Sequence, residues 1–464
     1  MMRTLLEPEP VRKSKLRITD VAKAVYTKHR GSVLRWPLIS KLVPGLIFCC
    51  IVSADAENWP AWRGPTANDI STEESGWDGS NWIRGEAWSF EAGEGSSAPV
   101  VIGNRVFLTG WAADKDHLIC LNADTGKEVW RQSYQSPKYG REAVGDQGLY
   151  SGACSTPSFD SRSGLLVTLS IDGLLAAWNT SRKGEQVWSR SLYDDYQAPR
   201  RPEVAKRKKT RRDYGYVCSP LIHNNEVIVE VGGKSGNLVA FDLNTGREVW
   251  TSENADEAGH TGGPVLMMVD GQQCVAVLTL RNLVVSEIPS NAGHAKTVAS
   301  FPWTTDYGNN IATVAVDGQS VIITSAYNQF AVCRVDVDSR GAREVWRNTK
   351  LASGVCSPVI SRGRVYWAWR GIHCVDFETG RELWNGGRIG SQGSCILTKD
   401  ERLIVYGNKG DLLLCDARRD TDRYTELTRQ AVLSRTDAWP HVVLSSGRLY
   451  CRDRRGTVKC LRVR

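Results

Sequence analysis

Three stretches of this chain superimpose without a gap: Leu121-Asn-Ala-Asp-Thr-Gly-Lys-Glu-Val-Trp130, Phe241-Asp-Leu-Asn-Thr-Gly-Arg-Glu-Val-Trp250 and Val375-Asp-Phe-Glu-Thr-Gly-Arg-Glu-Leu-Trp384. Looser copies end at Trp188, Trp303 and Trp346, so the tryptophans step along the chain by 58, 62, 53, 43 and 38 residues. A period of this size marks a repeat in which each unit is one supersecondary element that cannot bury its apolar faces alone. Tryptophan (17) outnumbers phenylalanine (8), which points to one indole serving a recurrent packing purpose.

Upstream of each Thr-Gly pair lie short β-branched or aromatic runs. In the sixth copy they are Ser357-Pro-Val-Ile, Arg364-Val-Tyr-Trp-Ala-Trp, His373-Cys-Val-Asp-Phe and Glu382-Leu-Trp, separated by Gly or Asp turns. Four such runs make an antiparallel meander, and no long stretch after residue 57 has helical period. Radial repetition lets each sheet cover its neighbours, so the expected fold is an all-β, eight-bladed β-propeller of four-stranded antiparallel blades. The units start near Ser96, Ser151, Tyr214, Gly259, Asn309, Ala352, Ile389 and Asp437. The eighth stops at Arg464 without a final Trp strand. Residues 86–90, with Trp88 in the tryptophan role, are expected to supply that strand from the N-terminal side and close the ring. The chain thus divides into residues 1–56, an N-terminal extension and signal peptide; 57–95, a lead-in segment and closing strand; and 96–464, the propeller. Gly supplies the positive φ of each tight turn. Each of Trp88, Trp130, Trp188, Trp250, Trp303, Trp346 and Trp384 is expected to wedge its ring between blades.

The pattern x-Asp-x-x-Thr-Gly-x-x-x-Trp resembles the quinoprotein-type, PQQ-like repeat. It is found in eight-bladed dehydrogenases that bind pyrroloquinoline quinone and in cofactor-free propellers, including the lipoprotein of the outer-membrane barrel-assembly machinery. Asn58-Trp-Pro-Ala-Trp-Arg-Gly-Pro65 resembles the Trp-Pro segment that precedes the closing strand in these proteins. Over about residues 57–464 the chain is similar to exported bacterial PQQ-binding-like β-propeller repeat proteins. The resemblance implies the fold and a periplasmic or secreted location, but no single function. The dehydrogenases use a vicinal cysteine disulfide, a calcium ion and a catalytic aspartate. The vicinal pair of this chain, Cys49-Cys50, falls in the apolar signal core, and no position takes the calcium ligands or the aspartate. No catalytic residue, metal ligand or resident cofactor is therefore assigned. The expected role is a non-catalytic binding or assembly scaffold of the cell envelope. The alternative is a PQQ- and calcium-dependent alcohol or sugar dehydrogenase.

Charge and targeting signals narrow the partners. Residues 1–56 hold ten Lys/Arg and four Asp/Glu. Lys41 precedes an apolar run to Val52 and the small residues Ala54-Asp55-Ala56, the order of a secretory signal. Arg200, Arg201, Lys206, Arg207, Lys208, Lys209, Arg211 and Arg212 crowd into 200–212 with a single acid, while the rest of the chain after residue 56 sums to −5. That distribution excludes a nucleic-acid-binding domain basic throughout. It leaves an exposed loop that holds an acidic polymer or anionic membrane surface, as an alternative to a plain solvated loop. The expected partners are envelope proteins or an acidic polymer, with no specific nucleic acid, and the expected state is a monomer. Eleven cysteines remain after the signal, so they cannot all pair within the chain, and no C-x-x-C occurs. Two entrances to inner strands supply candidate channel-mouth residues: His260 before the fourth blade, and Asp306, Tyr307, Asn309 and Asn310 before the fifth. They read either as a polar ligand pocket or as turn chemistry.

Overall fold

The computed structural model describes residues 57–137, 152–198, 214–259, 262–305, 310–327, 329–407, 410–433 and 437–463, all within one compact unit, Ser53–Arg464. Its strands form eight sheets. Blade 1 is built from Val100–Ile102, Arg105–Ala112, Lys115–Asn122 and Glu128–Gln135. Blades 2 to 7 repeat this order from the inner strands Ser158–Asp160, Leu221–His223, Val265–Val269, Ala315–Asp317, Val359–Ser361 and Gly393–Leu397. Blade 8 takes Val443–Ser445, Arg448–Arg452 and Thr457–Arg462 from the C-terminus and its outer strand, Gly85–Glu91, from the N-terminus. Trp88 stands opposite Cys460 and Phe90 opposite Val458, so the ring is closed by the early strand. The only helical turns among the described residues are Thr180–Arg182 and Leu192–Tyr196.

Burial follows position in the blade. Second strands sit between two neighbours and are apolar on both faces: Leu165–Leu169 is buried at every residue, as is Ser320–Ser325. Outer strands alternate, as Glu128–Gln135 does, because one face meets solvent.

The indoles sit where an outer strand meets the next blade. Adding a Cβ to Gly126 of blade 1 would bring it 2.6 Å from Trp88 Cγ of blade 8. Gly184 stands in the same relation to Trp130, Gly246 to Trp188 and Gly380 to Trp346. All four glycines have φ between 66° and 74°, so the turn needs glycine twice over, for conformation and for the ring laid on it. Three of these rings also donate their Nε1–H to the carbonyl three residues before that glycine: Trp88 to Ala123 at 2.8 Å, Trp188 to Leu243 at 2.8 Å and Trp346 to Phe377 at 2.9 Å.

Three blades depart from the simple repeat. In blade 4 the tight turn is replaced by a longer connection whose Gly293–Ala295 runs parallel to Glu248–Ser252, giving blade 3 a fifth strand. Trp250 faces this addition and donates to Glu226 Oε2 at 2.8 Å. The outer strand of blade 4, Thr297–Pro302, carries Ala299 at the register that tryptophan holds elsewhere. Trp303 therefore does not hold the expected strand position; it lies one residue beyond the strand, fully buried in the apolar cluster shared with blade 5. In blade 6 the second and third runs are continuous, Arg364–Asp376, and fold back at Arg370 (φ 61°), with Phe377 N donating to Gly363 O at 3.0 Å. Beside it, Trp384 packs against Tyr424 of blade 7, with ring centroids 6.2 Å apart.

Candidate functional site at the hub

The residues between 57 and 76 make a circuit of the ring. Ser445 of blade 8 donates its hydroxyl to Glu57 O at 2.6 Å. Trp59 is bridged to Val101 of blade 1, and Pro60 O accepts from Phe159 N of blade 2 at 2.9 Å. Trp62 lies on Gly262, ahead of blade 4, and donates to Thr313 Oγ1, ahead of blade 5, at 3.0 Å. Ile70 is bridged to Leu397 of blade 7. The Glu73 carboxylate accepts from Ser446 N and Gly447 N of blade 8 at 2.5 and 2.8 Å, which completes the circle. A segment touching inner strands on all sides must pass over the axis. The Trp-Pro stretch thus caps the hub before the chain reaches its closing strand.

At the centre of this cap sits a buried charge cluster. The Arg63 side chain is fully buried. Its Nε pairs with Asp69 Oδ2, its Nη1 donates to Val314 O of blade 5 at 2.8 Å, and its Nη2 donates to Pro358 O of blade 6 at 2.5 Å. Asp69 Oδ1 lies 3.1 Å from His441 Nε2 of blade 8, while His441 Nδ1 donates to Val442 O at 2.7 Å. Both imidazole nitrogens face acceptors, the arrangement of a doubly protonated ring. Burial disfavours the His441 cation, yet the Asp69 carboxylate outweighs it and holds the pKa above the usual histidine value. Burial likewise opposes the Asp69 anion, and Arg63 and His441 together pull its pKa below the carboxylate range. Trp62 closes the cluster edge-on to His441 at 5.3 Å.

A belt of hydroxyls ahead of the inner strands joins neighbouring blades around the axis. Ala98 N donates to Thr156 Oγ1, Thr156 N to Ser219 Oγ, Gly262 N to Thr313 Oγ1, Thr313 N to Ser357 Oγ and Val442 N to Ser394 Oγ, each at 2.9–3.0 Å. Proline follows three of these hydroxyl residues, at Pro157, Pro220 and Pro358. It keeps the preceding residue extended and so aims its side chain at the neighbour.

Beside the cap, a cleft of about 320 Å3 opens between it and blades 1 to 4, lined among others by Pro60, Trp62, Ile102, Phe159, Ile222 and Leu266. Leu266 and Met268 alternate with buried Val265, Met267 and Val269 and are 36% and 45% exposed. Asp160, Ser161 and Arg162 give the same cleft a polar edge, so this concavity is suited to a partner's side chain with both apolar and polar parts.

A second buried acid lies away from the hub, at the boundary of blades 1 and 2. Asp116 stands opposite Tyr134 in the ladder and is 1% exposed. Burial, reinforced by the negative charge of Asp172, pushes its pKa up to about 7.

Of the candidate channel-mouth residues, His260, Asp306, Tyr307 and Asn309 lie outside the described residues, as does the whole basic run 200–212. Asn310 is described, and its side chain bonds backbone carbonyls as in the turn-chemistry alternative rather than facing a channel mouth. It is fully buried, with its amide donating to Thr279 O at 2.7 Å and Trp303 O at 3.1 Å, and so staples the connection between blades 4 and 5. The Arg63–Asp69–His441 cluster was not singled out from sequence. Its signal was partly present, because Arg63 lies within the Trp-Pro stretch, but nothing local pairs that stretch with His441.

Together the closed ring, its interblade indoles and the capped hub define an eight-bladed PQQ-like repeat propeller. The sequence matches the family described as outer membrane protein assembly factor BamB over residues 84–153 and 143–386, and the chain belongs to that family. The outer membrane protein assembly factor BamB of Burkholderia pseudomallei (strain K96243) is 24% identical over 348 residues, covering 67% of this chain and 81% of that protein. Among solved structures, BamB from Moraxella catarrhalis aligns with a TM-score of 0.55 at 13% identity, covering 82% of this chain and 99% of that one. The quinohemoprotein alcohol dehydrogenase of Comamonas testosteroni aligns with a TM-score of 0.61 at 12% identity, covering 88% and 80%. At these identities the structural likenesses speak for the fold alone. Among the described residues no group of three or more His, Cys, Asp or Glu is placed to hold a metal ion.

Proposed function

We propose that this chain is a non-catalytic assembly factor of the cell envelope that acts, like the BamB proteins it matches, by holding a partner protein. The observation that carries this reading is the family match across residues 84–386. A hub filled by the chain's own Trp-Pro segment supports it, since the charges there are spent on joining blades 5, 6 and 8 rather than presented to a substrate. The cleft with Leu266 at its wall is the described surface suited to a partner's side chain. The chain is exported, and its work is done outside the cytoplasm.

The test is a strain lacking this chain. Outer-membrane β-barrel proteins are expected to fall in abundance, with recovery on re-expression of the wild-type chain and reduced recovery with a stably folded Leu266→Glu variant. Unchanged barrel levels overturn the proposal. So does dye-linked oxidation of alcohols or sugars by the purified protein that depends on both pyrroloquinoline quinone and Ca2+.

A further inference from the structure

None of the eleven described cysteines is in a disulfide, and ten are buried. Two of them face one another across a blade boundary: Cys356 Sγ and Cys395 Sγ are 3.7 Å apart. Cys356 precedes the inner strand of blade 6, and Cys395 lies within that of blade 7. Both side chains are buried, at 2% and 1% exposure. Their position in the hub belt is informative. Serine and threonine hydroxyls join blades 1 to 2, 2 to 3, 4 to 5, 5 to 6 and 8 to 7. Among the described residues this belt has no amide-to-hydroxyl link at three boundaries; Ser219 N to Gly262 O joins blades 3 and 4, Arg452 to Ser97 joins blades 8 and 1, and the sulfur pair stands between blades 6 and 7. Ser357 and Ser394, the neighbours of the two cysteines, direct their hydroxyls to blades 5 and 8 instead.

The two sulfurs are also chemically unequal. The contact with Cys395 lowers the Cys356 pKa, against burial and with help from the Ala368 N–H at 3.3 Å. The same contact, with burial, raises the Cys395 pKa well above the thiol value.

We propose that Cys356 and Cys395 are a disulfide-forming pair that locks blade 6 to blade 7 at the hub when the protein is oxidised. The oxidant is a disulfide, either a small molecule such as oxidised glutathione or a disulfide-bearing oxidoreductase. The Cys356 thiolate attacks one sulfur of that disulfide, forms a mixed disulfide and expels the first thiolate. Cys395, giving its proton to solvent, then attacks the Cys356 sulfur and expels the second. The protein loses two protons and two electrons, and the oxidant becomes two thiols. Since both sulfurs are buried in the closed ring, the exchange takes place while the chain is still open, and the finished propeller shields the bond from reductants.

The full chain, refolded in a glutathione redox buffer, is denatured in excess iodoacetamide without reductant and digested. The expected result is a Cys356–Cys395 linked peptide, lighter than the two thiol peptides by two hydrogen atoms, with the remaining thiols alkylated. The closed loop spans 39 residues, so reduction in denaturant followed by refolding without oxidant is expected to lower the melting temperature by roughly 3–5 °C. Cys395→Ala and Cys356→Ser should each abolish the linked peptide and that redox dependence. The mapping of the wild-type chain stands alone should either variant fail to fold. Complete alkylation of both cysteines in natively folded, oxidised protein overturns the proposal, as does pairing of either with another cysteine.

Discussion

Replacing Asp69 with asparagine keeps the shape of the side chain and removes its charge. Arg63 would then stand with its side chain fully buried and no carboxylate beside it, and His441 would lose the anion that holds its proton. Removing one partner of a buried ion pair typically costs 3–5 kcal/mol, because the surviving charge is left uncompensated. Here the carbonyls of Val314 and Pro358 continue to accept from the guanidinium, which favours the lower end, about 3 kcal/mol. Urea unfolding followed by tryptophan fluorescence reads this as a lowered midpoint at unchanged slope. Arg63→Met in the same chain should recover part of the loss, since it removes the stranded cation. On the alkaline side His441, whose folded pKa lies above its unfolded value, contributes stabilisation that is lost as pH rises through that folded pKa; on the acid side the direction follows from Asp69. Its folded pKa lies below its unfolded value, so its stabilisation is complete above the ordinary carboxylate pKa and is lost as pH falls through the folded one. The wild-type chain should therefore lose its advantage over the Asn variant in acid. A cost under about 1 kcal/mol at neutral pH, within the range of a surface substitution, would refute the view that this cluster fastens the hub.

Two other perturbations probe the rest of the ring. Trp88→Ala empties the blade 8 to blade 1 wedge and should cost ~3–5 kcal/mol, the range for a buried tryptophan. Gly126→Ala, which sets a methyl 2.6 Å from Trp88 Cγ at a φ of 68°, should destabilise the same boundary; calorimetry that finds either variant melting with wild type would sink the wedge. Asp116→Asn should stabilise the protein at pH 8. The folded pKa of Asp116 is raised to about 7, so the wild-type chain loses stability as pH climbs from the unfolded carboxylate value through 7. The gain is on the order of 2–4 kcal/mol above pH 7 and vanishes near pH 4. Equal melting of variant and wild type at both pH values would count against it.

The architecture could be read from sequence because its determinants are local. Thr-Gly followed four residues later by Trp fixes a turn and a wedge together, so the blades repeating that motif, and the early strand holding Trp88, were legible. Where the motif lapses, the reading slipped. Blade 4 has no Thr-Gly pair, and without that anchor Trp303 was assigned a strand position that Ala299 occupies. The hub was less legible, for a different reason. Arg63, Asp69 and His441 meet only after the ring has closed, and no periodicity or spacing connects residues at opposite ends of a chain. The hydroxyl belt lay between these extremes. Ser-Pro after Cys218 and Cys356 was visible, but its purpose, a side-chain acceptor for the preceding blade, appears only when blades are set side by side.

The circuit traced by residues 57–76 has a consequence for biosynthesis. This early stretch seats against a hydroxyl, backbone amides and an imidazole made far later, from Ser445, Ser446, Gly447 and His441. A ribosome releasing the chain a few dozen residues short would leave Glu73 and Asp69 without their counterparts and the Trp88 strand without a ladder. Such contacts of maximal sequence separation are slow to form. They make closure of the torus depend on synthesis reaching the blade 8 strands, and products stopped before them would present open sheet edges to the proteases around them.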